Sequence, residues 1–442
     1  MHGDRPWAGR RLHLLGIGGA GMSGLALLAH ALGAEVTGSD QAESTYLARV
    51  REAGIAVAVG HDAANLPSGD GVQVVYSTAV PADNPERAAA RERGLPELHR
   101  SALLGEISAL RPTIAIAGTH GKTTTASMAV HALRGAGMDP AYLVGGELRS
   151  TGSNAGWGSG EWLVVEADES DRSMLALRRD VAVLTNVELD HHTTFGSLAE
   201  LEEAFREFLA PAKQAVVWDR PALLALRDGP VVAFDATGVD LHAGGSRLEW
   251  RGTEVPLAVP GHHNALNAVA ALEACRLAGA DPARAAAALA DFSGAGRRFE
   301  RLGATDAGAE VYDDYAHHPT ELRVTLEAAR TLEPRRVVAV FQPHLYSRTA
   351  ALAAEFGRAL ALADLAVVLD VYPARERAED HPGVTGRLIA EATADAVPGR
   401  TVAWMPGFDD AEGYLRGVLR EGDLCLVIGA GNVDALGRRL VG

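Results

Sequence analysis

Cysteine is almost absent: Cys275 and Cys425 are the only two in 442 residues, and neither has the neighbouring Cys or His spacing of a zinc site. That argues against a disulfide scaffold and for a reducing compartment, with the cytoplasm as the expected location. Positive charge is also scarce, since 41 Lys and Arg face 57 Asp and Glu, a formal net charge of −16. Such a chain is not a non-specific binder of nucleic acid or anionic lipid, so a polyanionic ligand must be held by local devices. Long unbroken apolar runs are missing too. The nearest approach, residues 12–34 after Arg10-Arg11, has the outline of a secretory or twin-arginine signal, but Gly16, Gly18, Gly19, Gly21 and Gly24 interrupt it. Glycines so placed suit a strand–turn–helix phosphate site instead.

What is present reads as a folded chain rich in tight turns: 47% apolar and 22% charged residues, with 49 Gly and 20 Pro. The length allows roughly three domains. Apolar runs expected as strands, at 12–15, 35–37, 72–76, 113–117, 162–166, 181–184, 215–218, 337–341, 365–371 and 424–428, alternate with helical stretches such as 22–32 and 282–289. This alternation predicts an α/β fold with largely parallel sheets covered on both faces. The Arg111-Pro112 step and the run Ser293-Gly294-Ala295-Gly296 interrupt it, placing domain boundaries near 110 and 296. No internal repeat is visible.

Gly16-Ile17-Gly18-Gly19-Ala20-Gly21 follows the first strand and opens the first helix, the context in which G-x-G-x-x-G cradles a pyrophosphate on helix amides. Asp40, 24 residues after Gly16, ends the second strand and is placed to accept from a ribose hydroxyl. Alone, these residues describe a nicotinamide-dependent dehydrogenase. A second cradle changes that reading. AGTHGKTTT, residues 117–125, offers amides to wrap phosphates, Lys122 to reach the β and γ groups, and the Thr123 hydroxyl to ligate Mg2+. It departs from the full Walker pattern, because the position six before Lys122 is Ile116 rather than Gly. Two anion cradles in one acidic chain fit an enzyme that spends ATP on a second, nucleotide-carried substrate.

Two polar clusters close later strands. Glu166, Asp168, Glu169 and Asp171 follow the run at 162–166, and Thr185 to His192 follows the run at 181–184. Carboxylates at strand carboxyl ends beside a phosphate loop suit Mg2+ bridging nucleotide phosphates.

The blocks GIGGAGM, YSTAV followed by NPE, AGTHGKTTT, EADESD, TNVELDH, PGHHNALNA, GRRFE, DDYAHHPTE, FQPHLYSRT and GAGN run in this order through nearly the whole chain. In them the sequence closely resembles the Mur ligases of bacterial cell-wall synthesis. The resemblance implies three α/β domains: an N-terminal Rossmann-like domain for a UDP-sugar (1–110), a central P-loop ATPase-like parallel sheet for ATP (111–296) and a C-terminal Rossmann-like domain for an amino acid (297–442). It further implies UDP-N-acetylmuramate and L-alanine as substrates, ATP and Mg2+ as cofactors, and an acyl-phosphate intermediate in peptidoglycan precursor synthesis. A cytoplasmic monomer or homodimer with no nucleic-acid partner and no membrane insertion is expected.

By the same resemblance, Gly18, Gly19, Asp40, Ser77 and Thr78 lie near the UDP, so the first loop holds a UDP-sugar rather than NAD. Gly118, Thr119, His120, Gly121, Lys122, Thr123 and Thr124 bind ATP phosphates, while Thr123, Glu166 and His191 serve magnesium. Asn264, Asn267, Arg298 and Asp314 contact adenosine or phosphates. Tyr315, His317, His344 and Arg348 form the amino-acid pocket, Arg348 being suited to pair the carboxylate. Lys122, Glu166, His191, His317 and His344 make up the catalytic set, with His317 or His344 as general base.

Three positions depart from the family pattern: Leu345 stands where many members carry Arg, Arg375 where Gly is usual and Asn432 where Asp is usual. None touches the phosphate loop, so they bear on substrate detail. Competing readings are a nicotinamide oxidoreductase, a catalytically silent nucleotide-binding regulator, and a family member that attaches an intact peptide to the same sugar. GIGGAGM favours the alanine-adding type over the last.

Overall fold

The computed structural model describes residues 5–191 and 194–442, so His192 of the second polar cluster lies outside them. Two compact units are present, one of residues up to Asp235 with Leu266–Leu289, the other of Ala236–Ala265 with Ala290–Gly442. No helix among the described residues is long and apolar enough to cross a membrane.

The first unit opens with β1 (Arg11–Leu15), α1 (Ala20–Ala31), β2 (Glu35–Asp40), α2 (Thr45–Glu52), β3 (Ala56–Val59), β4 (Val72–Tyr76), α3 (Pro85–Glu92), β5 (Glu97–His99) and α4 (Arg100–Ala109). The five strands form an all-parallel sheet in the order β3-β2-β1-β4-β5. Because the order reverses between β1 and β4, the crevice at their carboxyl ends is where doubly wound sheets bind ligands. Leu12, Leu14 and Leu15 of β1 and Leu25 and Leu28 of α1 are buried, which sets this register.

A second sheet follows within the same unit: β6 (Thr113–Ala117), α5 (Lys122–Gly135), β7 (Ala141–Leu148), β8 (Ser153–Gly156), β9 (Leu163–Glu166), β10 (Val181–Leu184), α6 (Leu198–Leu209), β11 (Gln214–Trp218), α7 (Pro221–Leu224) and β12 (Val231–Phe234). Its order is β12-β11-β10-β6-β9-β7-β8, antiparallel only where β8 pairs with β7. Every residue of β6 is buried, as a strand covered on both faces requires. The expected boundary near 110 falls between α4 and β6, yet the flanking sheets share one unit. Gly24 of α1 is the close approach: a Cβ there would stand 2.1 Å from Leu143 Cδ1, while Asn154 Nδ2 donates to Ala20 O at 2.6 Å.

In the second unit, β13 (Asp240–His242), β14 (Gly245–Trp250) and β15 (Thr253–Leu257) make an antiparallel sheet. The expected domain limits had put these residues with the central sheet. Helices α8 (His262–Leu277) and α9 (Pro282–Ala288) come next, α8 beginning in the second unit and ending in the first. Then β16 (Glu300–Ala304), β17 (Glu310–Asp314), α10 (Pro319–Arg330), β18 (Arg336–Phe341), α11 (Tyr346–Leu360), β19 (Leu365–Val368), α12 (Arg387–Ala396), β20 (Thr401–Trp404), α13 (Phe408–Val418), β21 (Asp423–Ile428) and α14 (Asp434–Val441) complete a six-stranded sheet. Its order is β16-β17-β21-β18-β19-β20, with only the edge strand β16 antiparallel. Apolar clusters fill both faces. The run expected at 365–371 stops pairing at Val368, and the chain then turns toward Tyr372.

Candidate active site

The first cradle sits at the carboxyl ends of β1, β2 and β4. The amides of Gly16 and Ile17 donate to Ser39 O at 2.8 and 3.1 Å, and the Gly18 amide donates to Asp40 Oδ2 at 2.8 Å. Asp40 therefore shapes the loop from within. Ser44 Oγ closes it from the other side, donating to Gly18 O at 2.9 Å. Gly19 caps α1 with no side-chain cap, which leaves first-turn amides and the positive end of the helix to an anion. Ser77 and Thr78 lie in the turn that leaves β4, beside the loop's strand.

The second cradle follows β6, flanked by β9 and β10, so all three chemistry-bearing segments leave the same edge of the sheet. Gly121, at φ 82°, caps α5 without a side-chain cap, and a Cβ on it would lie 2.5 Å from Asn267 Oδ1. Thr124 falls in the first turn of that helix. Thr119 and His120 are stapled to the segment after β10. Thr119 Oγ1 donates to Glu188 O at 2.9 Å, the His120 amide donates to Asn186 Oδ1 at 2.8 Å, and Asn186 Nδ2 donates back to His120 O at 2.9 Å. Those two residues thus hold the loop's shape with groups that were expected to meet phosphate. Asn186 carried no signal beyond its place in the TNVELDH block.

Lys122 spends its ammonium on Gly118 O at 2.6 Å, Thr119 O at 3.0 Å and Glu169 Oε1 at 2.9 Å. Burial disfavours the charged lysine, but Glu169, Glu166 and Asp168 outweigh it and the pKa is raised. Glu166 accepts from the Gly145 amide at 2.7 Å. His191, at φ 55°, brings Nε2 to 3.4 Å from Glu169 Oε1. Glu169 was read as part of an acidic run but not as a site residue; it joins Lys122 to His191. Its Oε2 is buried without a hydrogen-bond partner. A bare carboxylate oxygen beside the lysine of the loop is the hard donor that Mg2+ takes, and the Glu166 carboxylate and Thr123 hydroxyl are of the same oxygen chemistry.

Arg100, at the start of α4, was also missed. It pairs with Asp168 at 2.9 Å and Asp171 at 2.7 Å, and its Nη1 would lie 3.0 Å from a Cβ placed on Gly21 of the first cradle. One guanidinium therefore stands between the first loop and the acidic run. Despite burial, Arg100 and Lys122 hold the Asp168 carboxyl well below the usual carboxylate range.

In the second unit the sequence-predicted residues gather at the carboxyl ends of β17 and β18. Tyr315 and His317 pack edge to face at 5.6 Å, His317 and His344 at 5.9 Å, and His344 stacks on Tyr372 at 5.8 Å. Tyr372 lay outside the recognised blocks. Arg348 is buried and donates from Nη1 to His344 Nδ1 at 3.4 Å. The Arg298 guanidinium lies 5.2 Å from the Tyr315 ring. Asp314 accepts the Phe299 and Ala316 amides, both at 2.8 Å, and burial pushes its carboxyl up. Asn264 turns its Nδ2 to Pro260 O at 2.7 Å. Of the two arginines in GRRFE, Arg297 takes the structural part, pairing with Asp313 at 3.0 Å and donating to Gly429 O and Gly431 O at 2.7 and 2.9 Å.

Comparison with known proteins agrees along the length of the chain. Three family models match: "Mur ligase family, catalytic domain" over residues 11–111, "Mur ligase middle domain" over 116–275, and "Mur ligase, glutamate ligase domain" over 297–431. The UDP-N-acetylmuramate--L-alanine ligase of Kineococcus radiotolerans is 49% identical, covering 97% of this chain and 94% of its own. That of Mycolicibacterium smegmatis is 44% identical, covering 98% and 94%. The crystal structure of UDP-N-acetylmuramate-alanine ligase MurC from Thermotoga maritima superposes with a TM-score of 0.84 at 29% identity, covering 97% of this chain and 98% of its own. A murein peptide ligase from Psychrobacter arcticus gives 0.72 at 26% identity, covering 98% of each chain. With family models matching over residues 11–111, 116–275 and 297–431 and relatives matched nearly end to end, this chain belongs to the Mur ligase family.

Proposed function

We propose that the chain is an ATP-dependent ligase that joins L-alanine to the lactyl carboxylate of UDP-N-acetylmuramate, a cytoplasmic step of peptidoglycan precursor synthesis. The observation that carries this reading is the pair of uncapped glycine cradles in one unit of a chain whose near-full-length relatives are named for that reaction. A dehydrogenase has no use for the second cradle, and a silent regulator has no use for a buried lysine aimed at a phosphate loop.

A lactyl carboxylate oxygen attacks the γ-phosphorus of ATP. The bond to the β,γ-bridging oxygen breaks, its electron pair leaves with ADP, and an acyl phosphate remains. The L-alanine amine then attacks the activated carbonyl, and the tetrahedral intermediate collapses to an amide and inorganic phosphate. Two anions must first be brought together, so charge neutralisation and in-line positioning dominate the barrier. Lys122 serves the γ-phosphate by exchanging the Gly118 and Thr119 carbonyls for phosphate oxygens. Thr123, Glu166, Glu169 and His191 would hold Mg2+, which supplies further positive charge when bound. Asn264, Asn267, Arg298 and Asp314 serve the adenosine and phosphates, and Gly18, Gly19, Ser77 and Thr78 the UDP.

Arg348 pairs the amino acid's carboxylate. The amine's proton goes to His317. Its Nδ1 lies 3.1 Å from Tyr315 O, so Nδ1 carries the hydrogen and Nε2 the lone pair. His344 has the opposite tautomer, because Nδ1 accepts from Arg348.

The test is ADP release by the purified protein. Release that needs UDP-N-acetylmuramate, L-alanine and Mg2+ together supports the reading, and a tripeptide should not replace L-alanine. Release indifferent to either substrate overturns it.

A further inference from the structure

The N-terminal sheet holds a buried ionic cluster for which the reaction above has no use. Glu86 of α3 is fully enclosed, with Oε2 2.6 Å from His13 Nε2, a ring only 1% exposed. Its Oε1 accepts from Ser39 Oγ at 2.7 Å, Asn65 Nδ2 at 3.1 Å and the Asp62 amide at 3.3 Å, and lies 3.1 Å from His61 Nδ1. Burial would raise this carboxyl, but the bonds from His13, Ser39 and Asn65 hold it at about 2. Glu86 is therefore an anion that can only accept.

The consequence falls on His61. In the neutral ring, Nδ1 facing a carboxylate carries the hydrogen, which leaves the lone pair on Nε2. Nε2 has no hydrogen-bond partner among the described residues, and a tenth of the side chain stays exposed. The residue sits just past β3 at the carboxyl edge, where the Gly60 amide donates to Asp40 O at 2.7 Å. Ser39, 2.9 Å from His61 Nδ1 through its hydroxyl, is also the residue whose carbonyl receives the Gly16 and Ile17 amides. Acceptor and cradle thus share one support. In doubly wound nucleotide sites the pyrophosphate meets the first helix and the ribose lies at the end of β2, so the next strand outward, β3, borders the nucleoside.

We infer that His61 Nε2, fixed in its tautomer by Glu86, accepts a hydrogen bond from the nucleoside half of the UDP-sugar. A lone-pair acceptor repels phosphate oxygens but suits the base N3–H or a ribose hydroxyl of uridine. The inference rests on the UDP-sugar reading of the first cradle. Glu86 is a positioning residue here, since it acts only through His61.

The test is equilibrium binding of UDP, 3-methyl-UDP, 2′-deoxy-UDP and 3′-deoxy-UDP to the full chain and to His61→Leu, His61→Gln and Glu86→Gln. One hydrogen bond predicts about a tenfold loss of UDP affinity in His61→Leu. His61→Gln, which restores an acceptor oxygen, should recover most of it. Wild type should discriminate against one analogue by a similar factor, and His61→Leu should not; the 3-methyl analogue identifies the base, the deoxy analogues the ribose. Unaltered UDP affinity in His61→Leu, or discrimination that survives the substitution, overturns the proposal. Glu86→Gln should match His61→Leu in UDP affinity while ATP binding is unchanged, and should add nothing when combined with it. Should Glu86→Gln fail to fold, the His61 series decides alone. A wild-type chain that binds no UDP at all would instead refute the reading of the first cradle.

Discussion

Lys122 Nζ and Glu169 Oε1 form a 2.9 Å ion pair between the phosphate loop and the acidic run after β9, with Glu169 only 1% exposed. Breaking a buried pair by removing one member strands the other's charge, at a cost of about 3–5 kcal/mol. Lys122→Ala should therefore lower the denaturation midpoint as well as abolish ADP release, while UDP-sugar affinity stays nearly intact. The double variant Lys122→Met/Glu169→Gln should regain most of the stability and none of the activity. Equal midpoints for wild type and Lys122→Ala would show that the pair contributes nothing to the fold.

Gly121 and Gly54 make a controlled comparison. Both have positive φ, 82° and 84°, but a Cβ on Gly121 would stand 2.5 Å from Asn267 Oδ1 whereas Gly54 has nothing within 4 Å. Gly54→Ala should cost about 1 kcal/mol and leave kinetics alone. Gly121→Ala should raise the KM for ATP at least about tenfold, a loss of about 1.4 kcal/mol, with UDP-sugar binding unchanged. Steady-state kinetics on the two variants checks this, and equal ATP KM values would count against the cradle.

The acid limb of stability should trace to Glu86. Its folded pKa, about 2, lies below the ordinary 4.5, so its contribution is complete above pH 4.5 and disappears as pH falls toward 2. That gap corresponds to about 3 kcal/mol at neutral pH. Asp168, also lowered, acts with the same sign. Urea midpoints measured from pH 7 down to pH 3 should decline less steeply for Glu86→Gln than for wild type.

Arg348 is the planar, buried cation of the proposed amino-acid pocket. Lysine keeps the charge but loses the fork that grips a carboxylate with two hydrogen bonds. Arg348→Lys should raise the KM for L-alanine by about tenfold or more without altering the KM for UDP-N-acetylmuramate. A change confined to the sugar substrate would reassign the residue.

Strands such as β6 were legible because a strand buried on both faces is an unbroken apolar run. β17, Glu-Val-Tyr-Asp-Asp, was not, although it lies inside the sheet between β16 and β21. Its buried acids are satisfied by Arg297 and by the amides of Phe299 and Ala316, partners that local pattern does not reveal. The same limit divides the site. Both glycine cradles are local and could be read directly. Arg100 meets Asp171 across 71 positions and the His120 amide meets Asn186 across 66, so their roles emerge only on folding. Asp40 was placed by its spacing as a ribose acceptor, and folding adds a part that spacing does not reveal, since its carboxylate also holds the Gly18 amide.

The two cysteines fall one in each compact unit, both wholly buried, with burial pushing each thiol up to about 12. An alkylating reagent meets either thiolate only when its own unit opens. The chain thus carries a native gauge in each half: labelling rates followed separately by mass spectrometry, in one unmodified sample, report whether the halves breathe in concert or independently.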